Sequence, residues 1–358
     1  MRWTLARYFL RRYLGITFWC LLGLSLLIFI VNFTETTRRM GDVEGYGLGI
    51  GFYFAAMQTP LILQQAVPFI ALVAGMATLV SLNRKYELVV ARAAGISAWQ
   101  FLAPICLGAF MVGVAAILVL NPLAAYGLAR TSLIEAGLGD GDAAAGETVW
   151  MKQRTAEGET YIGAGAVLEE GTLLANAVFV TVRPDGSVGE RIDAGRARLE
   201  PGRWDLEDAT VLGADSVPDR IESLSLPTNL SPEFVGERLA DPASIPFLEL
   251  PRKIDAARSF GLPAHGFATQ FHSLAAMPLL LVAMTLIAAT VSMRFARMGQ
   301  SSSIILGGIV AGFLLYVVTV LVQAFGSAGI VPPAAAAWFP VIAASFFGVT
   351  FLLYKEDG

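Results

Sequence analysis

The side chains able to do chemistry in this 358-residue chain are few, and they do not converge. His265 and His272, its only histidines, are seven apart and so fall near one helical face, but a metal site needs further ligands and none lies nearby. Cys20 and Cys106, the only cysteines, both lie in apolar runs, where they pack as small hydrophobes and offer neither a disulfide framework nor a metal site. No G-x-x-x-x-G-K-[ST] phosphate loop and no H-E-x-x-H pair occurs, so no cofactor and no metal is expected. What remains is recognition chemistry, at two places. Residues 32–44 contain Arg38 and Arg39, whose planar guanidinium forks suit a phosphate such as an anionic lipid headgroup. Ordinary ion pairs with Glu35, Asp42 or Glu44 are the alternative. In residues 83–95, Tyr86, Val89, Val90 and Ala93 fall at i, i+3, i+4, i+7, one helical stripe, and Gly95 supplies a C-terminal cap. A short helix of this kind gives a partner something to push against. The alternative is a connector resting on lipid, for which Glu87 is a poor residue on an anionic surface.

The elements that must position these segments follow from the placement of charge. Residues 45–83, 98–129, 259–293 and 298–354 contain no Lys, Arg, Asp or Glu, whereas 130–258 is dense in all four. The chain is 55% hydrophobic and 15% charged, against the roughly 25% charged of soluble domains. About 20 apolar residues cross a bilayer as a helix, because a helix satisfies its own backbone in hydrocarbon. Six spans are expected, at about 14–34, 54–82, 98–121, 265–293, 303–325 and 335–354. The first is expected to be a retained anchor, since its apolar run ends in Asn32-Phe33-Thr34-Glu35 without a small-x-small cleavage site. With the N-terminus cytoplasmic, the inner segments hold Arg2, Arg7, Arg11, Arg12, Arg84, Lys85, Arg92, Arg294, Arg297 and Lys355 against only Glu87, Glu356 and Asp357. This asymmetry obeys the positive-inside rule and puts both termini in the cytoplasm and 130–258 in the periplasm. Ion-coupled carriers need ionisable groups near the midplane; these spans have none, so energy for transport must come from a partner.

Within the insert the period changes to two. Val178, Val180 and Val182 share one face and Phe179, Thr181 and Arg183 the other; 161–168, 188–193, 203–207 and 220–226 also read as strands. Short strands broken by Gly, Pro and Asp suggest a β-sandwich or jelly roll. Residues 232–261 form a connector whose part from 250 to 260 suits a short amphipathic helix. The organisation expected is therefore membrane helices one to three in 1–129, with an inner helix at 84–95, a periplasmic β-domain and connector in 130–261, and membrane helices four to six in 262–358. No nucleic-acid partner is indicated.

Three spans, a β-rich insert and three more spans, together with Glu87-Leu88-Val89-Val90-Ala91-Arg92-Ala93-Ala94-Gly95-Ile96-Ser97, resemble the YjgP/YjgQ family, the permease subunits LptF and LptG of the lipopolysaccharide exporter. Phe33-Thr34-Glu35 with Arg38-Arg39-Met40-Gly41, and Val149-Trp150-Met151-Lys152, are more similar to the G paralogue. The resemblance implies an ABC transporter permease in the bacterial inner membrane, without enzymatic activity of its own. It implies a heterodimer with an LptF-like paralogue on a dimeric cytosolic LptB-like ATPase, handing lipopolysaccharide to periplasmic LptC-like and LptA-like jelly-roll proteins. It assigns Glu87, with Arg84 and Arg92 at its margins, to a helix docked in a groove of the ATPase. Arg38 and Arg39 would face lipid A phosphates, Pro68-Phe69 would line an apolar cavity, and Phe313 and Tyr316 would belong to a lateral gate. A membrane-anchored scaffold for periplasmic proteins is the alternative from another class. Because burying one acyl CH₂ is worth about 0.8 kcal/mol, lipid must pass between apolar surfaces. The β-domain is therefore expected to hold an open apolar groove, with Val178, Val180, Val182, Trp204 and Leu206 as wall candidates.

Overall fold

A computed structural model describes residues 2–41, 47–137, 149–155, 158–168, 172–182, 187–213, 219–228, 230, 235, 242–259, 263–298 and 302–356. Two long helices open the chain, α1 (Arg2–Met40) and α2 (Leu48–Arg84), followed by a short α3 (Glu87–Ala93). Next come α4 (Ala98–Ala115), a π-helical turn (Ala116–Leu120) and α5 (Asn121–Gly137). The sheet comprises β1 (Val149–Thr155), β2 (Gly158–Leu168), β3 (Leu173–Val182), β4 (Val188–Glu200), β5 (Arg203–Gly213) and β6 (Asp219–Pro227). The chain ends in α6 (Leu250–Ser259), α7 (His265–Met298), α8 (Ser302–Ser327) and α9 (Pro333–Glu356).

Among the described residues six helical stretches are long and apolar enough to cross a membrane: Trp3–Arg39, Leu48–Arg84, Ala98–Thr131, His265–Ser292, Leu306–Ser327 and Pro333–Tyr354. The first three run eight or more residues longer than the expected spans and the last three lie within three residues of theirs at each end. At 39 residues α1 is about 58 Å long, against a hydrocarbon thickness of about 30 Å, so its polar ends extend the helix beyond its apolar middle. The third expected span continues past 121 because the π turn absorbs Pro122. Proline supplies no N–H and crowds the carbonyl four residues back, and the Asn121 N–H reaches Ala116 O instead. The boundary expected at 129/130 thus falls inside α5.

The bundle core centres on α7, which packs against α2, α4, α8 and α9 through Leu281, Ala283, Met284 and Ala288. By contrast, α1 presents Phe18, Trp19, Leu22, Leu26, Ile30 and Val31 outward, and α8 presents Val310, Phe313, Leu314, Val317 and Leu321. Only lipid or other apolar protein surface can cover such faces. The segment returning from the sheet is fastened to the bundle: the Phe247 N–H donates to Asn121 Oδ1 (2.7 Å), and Phe247 stacks on Phe271.

The six strands form one antiparallel sheet in consecutive order, an up-and-down meander without the Greek-key crossings of a jelly roll among the described pairings. A crease crosses it. The regular pairing skips the row of Gly165, Asn176, Gly195, Asp208 and Glu222, and Asn176 (φ 47°) and Asp208 (φ 53°) there adopt the left-handed conformation. A left-handed residue turns the pleat by one step, so the buried positions change parity across the row: Leu174 then Ala177 and Phe179, Ala194 then Ala197, Leu206 then Ala209. One face therefore stays inside on both limbs. The sheet also curls until its edges meet: on β1, Gln153 Nε2 donates to Pro227 O (3.2 Å), and Thr228 Oγ1 donates to Gln153 Oε1 (2.6 Å).

This closure corrects the expectation of an open groove. Trp204, Leu206 and Phe179 are fully buried in a packed interior covered by Val235, while Val178, Val180 and Val182 lie on the opposite, half-exposed face. The first strand escapes the sequence pattern because Gln153, buried along with Met151, is polar. Asn176→Val, which forces a β-branched residue into positive φ, is expected to destabilise the β-domain by about 1–3 kcal/mol, and Asn176→Gly is not. Thermal unfolding of the detergent-solubilised chain checks this; equal stability of the two variants would refute the strained crease.

Candidate functional site

Two turns build α3. Lys85 and Tyr86 break the chain out of α2, with Tyr86 left-handed (φ 58°) and its N–H donating to Asn83 O at 2.9 Å. At the other end the Gly95 N–H donates to Arg92 O (2.9 Å) and the Ile96 N–H to Ala91 O (3.1 Å), the paired bonds of a Schellman cap. That cap needs positive φ at Gly95, which has 79°. Leu88 and Ala91 are buried on the inward side, with Leu88 in the bundle core. The stripe read from the sequence is the outward side: Tyr86, Val89 and Val90 are 70%, 51% and 66% exposed. Arg84 and Arg92 are also exposed at the two ends of α3, with the Arg92 guanidinium 5.9 Å from the Phe101 ring centre. The helix thus offers an apolar ridge flanked by cations.

Glu87 is not part of that ridge. Its side chain turns back to α1, where Tyr8 Oη donates to Glu87 Oε1 at 3.1 Å. Arg12 Nη1 donates to Tyr8 Oη (2.7 Å) and lies 4.0 Å from Glu87 Oε1, and Arg12 Nη2 donates to Ser81 Oγ (2.5 Å). Tyr8 and Arg12, one helical turn apart, were legible in the sequence only as part of a basic N-terminal segment. Their i, i+4 spacing is the signal that places both on one face of α1.

At the far end of α1, Arg38 makes a two-pronged pair with Glu35, through Nε to Oε2 (3.0 Å) and Nη2 to Oε1 (2.7 Å). The pair is exposed, so an incoming anion can compete for the fork. Asp42 and Glu44, the other partners considered, lie outside the described residues.

Between these ends are two cavities. One, of about 600 Å³, runs along α1 against α2 and the π turn and is lined almost wholly by carbon, including Leu21, Leu22, Val67, Val112, Ala116 and Val119. The other, of about 300 Å³, lies between α2, α7 and α8 and is lined in part by Gln64, Gln65, Pro68, Gln270, Tyr316 and Gln323. The sequence-derived residues are therefore not gathered into one site. Phe69 is half-buried against the bundle core beside Pro68; Tyr316 faces the smaller cavity, while Phe313 points outward from α8. Among the described residues no group of His, Cys, Asp and Glu is arranged to hold a metal.

The family model described as lipopolysaccharide export system permease LptF/LptG matches residues 7–355. No curated protein matches the chain. Replacing Gly95 by Val should fray α3, speeding amide exchange over residues 88–94 roughly tenfold, whereas Asn, which tolerates positive φ, should stay within about twofold of the parent. Hydrogen-exchange mass spectrometry reads both; unchanged exchange in the Val variant would refute the role of the cap.

Proposed function

The chain belongs to the LptF/LptG family of lipopolysaccharide export permeases, and we propose that it is the G-type subunit, working with an LptF-like paralogue on a dimeric LptB-like ATPase. The observation that carries the permease reading is the family match over residues 7–355, which takes in the six apolar helices, α3 and the sheet together, and the likeness of 33–41 and 149–152 to the G paralogue supports the subunit type. The family is that of a multi-pass inner-membrane permease of an ABC transporter, which is not itself catalytic. In our reading three helices on each side of the β-domain place both termini in the cytoplasm and the sheet in the periplasm, consistent with the distribution of Arg and Lys.

The division of labour follows from energetics. Exposing several acyl chains to water costs on the order of tens of kcal/mol at about 0.8 kcal/mol per CH₂, so the lipid passes from one apolar surface to the next. The exposed ridge of Tyr86, Val89 and Val90, with Arg84 and Arg92 beside it, sits in the groove of the ATPase. Glu87 ties that ridge to the membrane helices. The apolar cavity beside α1 receives acyl chain, and the outward face of α8 around Phe313 meets helix one of the partner subunit as a lateral gate, with Tyr316 on its inner side. Phe69 supports the wall at α2 from within the core. Arg38 and Arg39 take lipid A phosphates, the phosphate displacing Glu35 from the Arg38 fork. In the β-domain, which acts as the family's jelly roll, lipid enters where the Gln153 contacts close the two sheet edges, then moves to LptC-like and LptA-like domains.

Co-expression with a cognate paralogue and ATPase tests the assembly: the chain is expected to retain the ATPase through detergent purification, and its consistent absence from the complex would refute the permease reading. Within that complex, Arg38→Ala with Arg39→Ala should lower bound lipopolysaccharide at least about fivefold, as loss of two charge-assisted contacts predicts. Glu35→Gln, which frees the Arg38 fork, should preserve or raise it. Equal lipid in the double variant and the parent would remove the arginines from the site.

A further inference from the structure

We propose that Tyr8 and Arg12 are positioning residues of the transport cycle: they clasp Glu87 and Ser81, so that movement of α3 is delivered first to α1. The inference rests on the permease reading above and names the path by which force leaves the docking helix.

Three observations point to α1 as the receiving element. The first is the clasp itself. Four side chains from three helices meet in one chain of contacts, Ser81 to Arg12 to Tyr8 to Glu87, at 2.5, 2.7 and 3.1 Å. Arg12 and Glu87 are only 20% and 28% exposed, so the pair is shielded enough to resist salt and water better than a surface ion pair. The second is spare capacity. Arg12 Nε and Glu87 Oε2 are both buried without a hydrogen-bond partner. A two-pronged guanidinium–carboxylate pair joins Nε and Nη2 to the two carboxylate oxygens, and here Nη2 is held by Ser81 while Nη1 lies 4.0 Å from Glu87 Oε1. Passing Nη2 from Ser81 to Glu87 as α3 shifts against α1 would complete that pair, giving the clasp a second state besides the one described.

The third is how α1 is held. Its Tyr8 end is packed: Phe9, Tyr13 and Thr17 are buried, and α4 comes so close that a Cβ on Gly108 would stand 2.7 Å from Tyr13 Cδ1. Beyond Thr17 one side of the helix stays against α2, with Phe29 on Phe52 (ring centres 5.0 Å apart) and Thr36 buried, while Phe18, Trp19, Leu26 and Ile30 point outward. Helix α1 is thus packed against both α2 and α4 near Tyr8 and held from one side, by α2, beyond it, so a tilt set at the packed end is carried along its length. From Arg12 to Arg38 it measures about 39 Å, so a tilt of about 10° at the packed end displaces the far end by about 7 Å. The same helix therefore carries the clasp at one end and the Arg38–Glu35 pair at the other.

The test uses the full complex in vesicles containing lipopolysaccharide, with lipid release and ATP hydrolysis measured together. Tyr8→Phe and Arg12→Gln are expected to assemble with the ATPase and hydrolyse ATP, but to release at least tenfold less lipid per ATP. Arg12→Lys, which keeps the charge but not the fork, should recover part of the loss, and the exchange Arg12→Glu with Glu87→Arg should recover more than either single change. Parental lipid yield per ATP in Tyr8→Phe and Arg12→Gln would overturn the proposal. Where Arg12→Gln fails to assemble, the exchanged pair decides: restored assembly supports the clasp and continued failure overturns it. If the parental complex itself hydrolyses no ATP and releases no lipid, the permease reading has failed rather than the clasp. The clasp is then decided by cysteines at positions 12 and 87 in a chain with Cys20 and Cys106 replaced by Ala. Joining by a short bis-maleimide upholds the contact; no joining refutes it.

Discussion

Hydrocarbon admits a helix only if its backbone is internally satisfied and its side chains carry no unpaired charge, and this constraint shapes the rest of the molecule. The apolar middles of the six long helices hold no Lys, Arg, Asp or Glu, so they offer no carboxylate or amine to a coupling ion. In the function proposed above, work enters from outside the bilayer, and the charged side chains are gathered where the helices leave it. At one end Arg12 and Glu87 join α1 to α3; at the other Arg38 holds Glu35. The protein is a passive apolar frame with polar fittings at its ends.

The frame is unevenly packed, and the unevenness has a physical reading. Burial concentrates on α7 and α2, whose small and apolar residues interdigitate, whereas α1 and α8 turn large side chains outward. A helix packed on all sides transmits strain without moving; one held from one side over most of its length has room to tilt. The cavity beside α1 fits this picture, because the helix and its neighbours leave about 600 Å³ of carbon-lined space between them. In the β-domain the same economy is reached differently. A row of left-handed and glycine residues folds the sheet, and a single buried glutamine joins its edges. Among the described residues the hydrogen bonds that join the edges are polar exchanges that water or a ligand can replace, over an apolar interior that includes Met151 and Val235.

Much of this was legible in the sequence for identifiable reasons. Uncharged runs of 20 or more residues have one physical meaning, so the helices were found, and Gly95 announced the end of α3 because only positive φ closes that cap. The strands from 158 onward showed themselves by alternation. What stayed hidden is what local pattern does not encode. The first strand buries a glutamine whose partners are 74 and 75 residues away. The wall candidates Val178 and Trp204 each lie in an alternating run of the sequence, yet the crease and the strand register put them on opposite faces. The inward turn of Glu87 depends on Tyr8 and Arg12, 79 and 75 residues earlier, contacts that only the packed bundle brings together.

The central claim is that this frame has no engine of its own. Its most direct test is lipid transfer from vesicles holding the chain with its paralogue and ATPase to a soluble lipopolysaccharide-binding acceptor, with either ATP or an imposed proton or sodium gradient as the energy source. Transfer driven by ATP and none driven by either gradient is the predicted result. Gradient-driven transfer in the absence of ATP would contradict it.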